Sequence, residues 1–186
     1  MGVDRVTVYR WVQRFTPEFI KAGRSRRHCP GDRWFVDETY VKVAGRWTYL
    51  YRAIDQHRQV IDIWLSRNRD LSAARAFFSR ALAYGVVPLE ATTDRAPADP
   101  RVPDECVPAA LHVTQQYANN TIKVDHGRLK ARLRPMRGMK RFRSARTVAA
   151  GHTFVQNLRR GHYEIAVEQP ERDRLRAAFD ELMLTV

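Results

Sequence analysis

The sequence has few cysteines, no long apolar run, and fewer acidic than basic residues. Only Cys29 and Cys106 occur in its 186 residues, without CxxC or Cys/His ligand spacing, which excludes a disulfide framework and a zinc module. No apolar stretch approaches the roughly 20 residues needed to cross a bilayer, and the N-terminus shows no secretory segment. The motifs GxGxxG, GxxxxGK(S/T) and HExxH are also missing. We therefore expect a cytoplasmic protein with no membrane partner.

Basic residues dominate the charge balance. There are 33 Lys and Arg against 20 Asp and Glu, a formal net charge of +13 and a pI near 10.5. A surplus of this size favours a polyanionic partner, with nucleic acid ahead of an anionic membrane surface. The hydrophobic fraction of 44% is enough for a substantial core.

The apolar periodicity predicts an α/β domain. The predicted elements are a helix over 3–15, strands over 34–43, 47–54 and 60–65, a helix over 72–84, a strand over 86–93, a Pro-rich connection over 96–108, a strand over 111–117, and helices over 121–133, 144–158 and 171–184. The first three strands, joined by turns at 44–45 and 55–59, form an antiparallel meander. This order matches a mixed RNase H-like sheet flanked by helices.

The N-terminal segment VTVYRWVQRF is typical of the second helix of a helix-turn-helix, and a plain amphipathic helix is the alternative. Because Met1 falls just before it, we expect residues 1–20 to be the remnant of a DNA-binding region in a truncated protein. The segment over 21–32 is then a basic linker, 33–165 is the RNase H-like domain and 166–186 is a C-terminal helix.

Two aspartates at strand positions are the candidate metal-binding residues. Asp37 lies in the middle of the first strand, and Asp94 follows the fourth. A carboxylate among buried residues is costly to desolvate unless it is paired or bound to a metal, and oxygen ligands suit Mg²⁺ or Mn²⁺. Glu38 must point to the opposite face. In the alternative, Asp37 pairs with an arginine such as Arg52, and Asp94 only caps a turn.

Four long motifs carry a family resemblance: GDRWFVDETYVKVAGRWTYLYRAIDQHRQVIDIWLSRNRDLSAARAFF, TTDRAP, YANNTIKVDHGRLKARLRPMRGMKRFRSA and GHTFVQNLRRGHYE. Together they resemble the insertion-sequence transposases of the IS-six family. The resemblance implies an RNase H-like catalytic domain with a DDE triad, which uses a divalent metal, Mg²⁺ or Mn²⁺, to cleave and transfer DNA strands at transposon ends.

The same resemblance assigns roles to residues. The first two family carboxylates fall on Asp37 and Asp94, and the family glutamate falls on Lys123. The basic residue seven positions later is Lys130. A protonated lysine cannot coordinate a metal, so we expect strand transfer to be severely impaired. Asp125 is the nearest substitute, but two helical positions rotate it by about 200° from Lys123.

A basic segment follows the family glutamate position. Its candidate DNA-binding residues are Arg128, Lys130, Arg132, Arg134, Arg137, Lys140 and Arg141. The alternative is a solvated basic face. The expected partners are double-stranded DNA and, by family analogy, a second copy of the chain held through its C-terminal helix. Two functions stay open: a transposase, or a DNA-binding and oligomerising remnant without catalysis.

Two further predictions concern side chains outside the triad. His126 either orients a phosphate or caps local structure. The aromatic side chains of the strands are expected to pack the sheet, with base stacking as the alternative. These aromatics are Trp34, Trp47, Tyr49, Tyr51 and Trp64.

Overall fold

A computed structural model describes residues 2–93, 101–114, 120–136 and 138–186 of the chain. These residues form two compact units, 29–142 and 1–28 with 143–186. In the part of the chain that the structure describes, no helix has the length and apolarity to cross a membrane.

A five-stranded mixed sheet forms the centre of the 29–142 unit. Its first three strands are β1 (Arg33–Val43), β2 (Arg46–Asp55) and β3 (Val60–Ser66), and they pair antiparallel as the predicted meander. The β1–β2 turn is Ala44-Gly45, with φ of 50° and 78°. Two positive φ angles are the geometry of a tight hairpin turn.

Two short parallel strands complete the sheet beside β1. β4 (Glu90–Thr93) is shorter than its predicted range, and β5 (Leu111–Val113) lies at the edge, giving the order β3-β2-β1-β4-β5. β4 runs parallel to β1 and places Thr93 opposite Val36. The mixed sheet predicted from the sequence is confirmed.

One face of the sheet is covered by helix α2 (Leu71–Leu82). The Asp70 side chain caps this helix by accepting from the Ala73 N–H at 2.8 Å, a contact that typically contributes about 1 kcal/mol. Phe77 is fully buried and stacks on Tyr51 of β2 at 5.8 Å between ring centroids. The core on this face thus combines aromatic rings with smaller aliphatic side chains.

A short helix, α3 (Arg101–Cys106), interrupts the segment that was predicted as a Pro-rich connection. That prediction was wrong for these residues. Val102 is 1% exposed and joins the core beneath α2. The buried side chains of α3 are the adjacent Val102 and Pro103, which show no helical periodicity, so tertiary packing decides the conformation.

The opposite face of the sheet is covered by α4 (Asn120–Leu133). Ile122 packs there with Phe35, Ile54 and Val60. Phe35 and Trp34 are neighbours in β1, and their side chains point to opposite faces, so the two helical layers are separated by the sheet.

The second unit is helical and comprises α1 (Arg5–Gly23), α5 (Phe142–Arg159) and α6 (Glu171–Met183). Its core includes Phe154, Leu158 and Leu182. A Cβ added at Gly151 of α5 would lie 2.9 Å from the Thr16 methyl carbon of α1, so glycine permits the close approach of these helices.

The N-terminal helix is longer than predicted and takes up part of the expected linker. Helix α1 ends at Gly23, and a 3-10 turn covers Arg24–Arg26. The next residue, Arg27, forms an isolated antiparallel β-bridge with Tyr163. Residues 21–26 are therefore helical, although the sequence predicted a linker from residue 21. The helix-turn-helix origin of α1 and the domain boundaries stay predictions.

Candidate active site

The Asp37 side chain points to the α4 face of the sheet. It shares that face with Phe35 by the alternation of β1, and its cross-strand neighbour in β2 is Arg52. The side chain is 12% exposed, and its Oδ1 accepts the Glu38 N–H at 2.9 Å. Asp37 is therefore a nearly buried carboxylate at the centre of the sheet.

Helix α4 presents a narrow buried stripe to this face. Ile122, Asp125, His126 and Leu129 are each at most 5% exposed. At about 100° per residue, these positions span roughly 100° of the helix circumference. The stripe thus includes a carboxylate and an imidazole, which need polar partners when buried.

His126 contacts the candidate catalytic aspartate. Its Nδ1 lies 3.5 Å from Oδ2 of Asp37, and its side chain is 6% exposed. Its Nε2 is buried and has no hydrogen-bond partner among the described residues. His126 therefore joins α4 to β1 at the predicted site.

Asp125 contacts arginines at the other edge of the stripe. Its Oδ2 lies 3.9 Å from Nη1 of Arg52, and its Oδ1 lies 3.7 Å from Nη1 of Arg128. The Arg52 and Asp125 side chains are 0% and 1% exposed. The structure thus gives Arg52 an ion pair with Asp125, whereas the alternative reading of the sequence had placed it with Asp37.

The remaining residues of the family motif fall at the edge of α4 nearest His126. Lys123 and Lys130 are both exposed. Around the helix axis, Lys123 lies about 60° from His126, and Lys130 lies about 40° from it in the same direction. Asp125 lies about 100° from His126 in the other direction. Lys123 and Asp125 therefore occupy opposite edges of the helix.

The second predicted aspartate, Asp94, lies outside the described residues, as does Arg137 of the basic segment. Strand β4 ends at Thr93, whose partner Val36 immediately precedes Asp37. Across the described ranges, no three His, Cys, Asp or Glu side chains come together as a possible metal site.

The basic segment is exposed wherever its side chains are described. The predicted DNA-binding residues with exposed side chains are Arg128, Lys130, Arg132, Arg134, Lys140 and Arg141. The Arg128 side chain is 52% exposed although it contacts Asp125. These positive charges are therefore available to a polyanion.

Comparisons with known proteins agree with this arrangement. A family model described as a DDE domain, DDE_Tnp_IS240, matches residues 31–162. The transposase for insertion sequence-like element IS431mec of Staphylococcus aureus strain Mu50 is 36% identical over 137 residues, which cover 71% of this chain. The chain spans 61% of the length of that relative.

Solved structures show the same fold. The catalytic core domain of HTLV-2 integrase, in complex with magnesium, is 16% identical at a TM-score of 0.55, covering 71% of this chain and 90% of that one. The catalytic core domain of BIV integrase is also 16% identical, at a TM-score of 0.53, covering 81% and 97%. The RNase H-like fold is confirmed.

The match over most of its length shows that the chain belongs to the DDE domain family and, through its transposase relatives, to the IS-six family. Sequence reasoning missed the Arg52–Asp125 pair. The signal was a charged residue in the apolar run YLYRAID, which needs a buried counter-charge.

Proposed function

We propose that this chain derives from a transposase that cleaves and transfers DNA strands at insertion-sequence ends in the bacterial cytoplasm, and that Lys123 severely impairs its chemistry. One observation carries the proposal. Asp37, the first family carboxylate, is nearly buried and contacts His126 of α4. Lys123 and Lys130 lie on the edge of α4 that is nearest His126. The family places its glutamate and its basic residue at those two positions.

Asp37 and Asp94 are the proposed ligands for Mg²⁺ or Mn²⁺. The run of β4 beside β1, with Thr93 opposite Val36, supports their proximity. Two-ion phosphoryl chemistry places about +4 of charge in such a site. Lys123 adds a further positive charge where a carboxylate is required, so this donor set does not fit a complete two-ion site.

Asp125 does not supply the missing ligand in this proposal. Its carboxylate contacts Arg52 and Arg128, and it occupies the helix edge away from Lys123. Turning it toward Asp37 would leave the Arg52 guanidinium, which is 0% exposed, without this counter-charge.

Double-stranded DNA, as transposon end and target, is the proposed partner, and the exposed basic residues of 128–141 are its proposed contacts. Their phosphate contacts would be sensitive to salt and largely independent of sequence. A homodimer through α6 is proposed by family analogy, and Met183 and Leu184 at its end are 60% and 87% exposed.

A second candidate function is a DNA-binding and oligomerising remnant that no longer catalyses. Lys123 favours it directly, because the fold and the basic surface do not depend on the missing glutamate. Both candidates agree on the fold and on DNA as the partner.

The test uses the Lys123→Glu variant, fused to the DNA-binding region of a family member so that recognition of the ends does not limit the assay. We expect metal-dependent strand transfer that is abolished by adding Asp37→Asn or Asp94→Asn. Matched variants at Glu38, which lies on the opposite sheet face, provide the control. Activity that persists without Asp37 and Asp94 would refute the assignment.

A further inference from the structure

Exposed aromatic side chains stand on the sheet face opposite Asp37, near the tip of the β1–β2 hairpin. Trp47 is 62% exposed and Tyr40 is 45% exposed. Their rings are in edge contact, with centroids 6.4 Å apart. The expectation that Trp47 packs the sheet is therefore wrong, because most of its surface lies outside the core.

Positive charges surround these rings. Lys42 is the cross-strand partner of Trp47, and its Nζ lies 5.7 Å from the centroid of the indole. The Nη1 of Arg69 donates to the Tyr40 hydroxyl at 3.4 Å. Glu38 forms an ion pair with Arg69. Lys42 and Arg69 therefore place two cations beside these rings, and Glu38 offsets the charge of Arg69.

A groove lies at the same hairpin tip. It has a volume of about 350 Å³ and is lined by Lys42, Ala44, Gly45, Gly138, Met139 and Lys140. Its floor is backbone, because Val43 pairs with Met139 as a parallel bridge and Ala44 N–H donates to the Met139 carbonyl at 2.6 Å. Two lysines at a groove of this size suit a phosphate group.

We infer that Tyr40, Lys42, Trp47 and Lys140, here called the hairpin patch, bind unpaired nucleotides of a DNA strand, with bases stacked on the rings and a phosphate between the lysines. Proteins bind single-stranded nucleic acid with exposed aromatic rings that lie beside positively charged side chains. The rings can stack on bases only where these are unpaired, because a duplex hides its base faces. This inference rests on the proposed function, which supplies DNA as the partner.

Charge argues for DNA over a second copy of the chain. A two-fold interface through the hairpin patch would bring the same lysines of both copies together, and like charges at such an interface are unfavourable. Tyr40 follows Asp37 by three residues along β1, about 10 Å at strand spacing. Because Tyr40 and Asp37 lie on opposite faces of the sheet, a strand end bound at the hairpin patch must pass around the hairpin tip to approach the predicted catalytic site.

The test is fluorescence anisotropy of the full chain with two labelled DNA probes, a blunt duplex and the same duplex with a single-stranded 3′ overhang. We expect Trp47→Ala to weaken binding of the overhang probe about tenfold and of the blunt probe less than twofold. Trp47→Tyr should restore overhang binding, because a phenol still stacks. Tyr84→Ala, which removes an aromatic 40% exposed at the end of α2, is the matched control and should change neither probe.

Lys42→Ala combined with Lys140→Ala should weaken binding of the overhang probe and lower its salt dependence, whereas the charge-matched pair Arg24→Ala with Arg75→Ala, at exposed positions elsewhere, should do neither. The inference is overturned if Trp47→Ala binds the overhang probe as the parent does, or weakens both probes equally. It is also overturned if sedimentation shows that Trp47→Ala converts a dimer to a monomer, since the patch would then be a protein interface. A parent chain that binds neither probe refutes the proposed function as well, which separates the two failures.

Discussion

His126 Nδ1 of α4 lies 3.5 Å from Asp37 Oδ2 of β1, and both side chains are nearly buried. This contact links the carboxylate to the helix that also carries positions 123 and 130. We expect the imidazole to orient Asp37, as residues behind metal ligands do in many enzymes.

His126→Ala in the Lys123→Glu background should therefore weaken Mn²⁺ binding and strand transfer by about 10- to 100-fold, the range for residues that orient ligands. Titration with Mn²⁺ measures the affinity, and thermal unfolding checks the fold. His57→Ala, at an exposed position in the β2–β3 turn, is a control. An unchanged Mn²⁺ affinity would mean that the contact with Asp37 does not orient it.

Asp125 should act on stability, because its carboxylate neutralises a guanidinium that is 0% exposed. Asp125→Ala leaves Arg52 buried with one counter-charge fewer, and we expect a loss of about 3 kcal/mol in the free energy of unfolding. Urea denaturation measures the loss.

The double variant Arg52→Met with Asp125→Leu is the control for that prediction. Replacing both charges by apolar side chains should recover most of the stability lost in Asp125→Ala. If the two replacements proved additive, the pair would not be coupled, and another contact would hold α4 in place.

Because of Tyr51, we expect the stability of the fold to decrease at alkaline pH. Its hydroxyl is buried without a hydrogen-bond partner among the described side chains, and burial, followed by the negative charge of Glu38, raises its pKa to about 12. Between pH 10 and 12 the folded state therefore keeps the phenol proton, whereas the unfolded state loses it. The free energy of unfolding that is present below pH 10 accordingly decreases as the pH rises from 10 to 12.

Tyr51→Phe removes this titration. Over the same window, its free energy of unfolding should fall by about 2 to 3 kcal/mol less than that of the parent. Urea denaturation at pH 9, 10, 11 and 12 tests this. Parallel losses in parent and variant would show that the hydroxyl ionises with the solvent at its ordinary pKa.

The basic segment should dominate binding to blunt duplex DNA. Replacing Lys130, Arg132 and Arg134 by alanine should weaken binding and reduce the slope of log K against log salt by about 0.9 for each lost phosphate contact. Arg24, Arg58 and Arg75, which are exposed and lie outside both α4 and α6, give a charge-matched control when replaced together. An unchanged slope would assign these residues to a solvated face.

The sequence predicted the meander, the parallel strand and the helix that carries Lys123, because alternation and periodicity are strong there. It did not predict α3, whose buried side chains, Val102 and Pro103, are adjacent and show no helical spacing. Trp47 was misjudged for a related reason: a β-strand pattern gives the face of a side chain, but not whether a helix covers that end of the sheet.

The site was only partly predictable. The spacing of the family motif gives Asp37, Asp94 and Lys123 their roles, and those roles stay predictions. Arg52 and Asp125 are separated by more than 70 residues in sequence. Their pairing depends on how α4 lies across the sheet, which local patterns do not encode.

The central claim is that Lys123 stands where a metal-binding carboxylate is required. The most direct measurement compares strand transfer by the parent chain, Lys123→Glu and Lys123→Gln, all with the same fused DNA-binding region, in Mg²⁺ and in Mn²⁺. Glutamine removes the positive charge without supplying a carboxylate, so we expect activity only in Lys123→Glu. Equal activity in all three would contradict the account and would mean that another carboxylate completes the site.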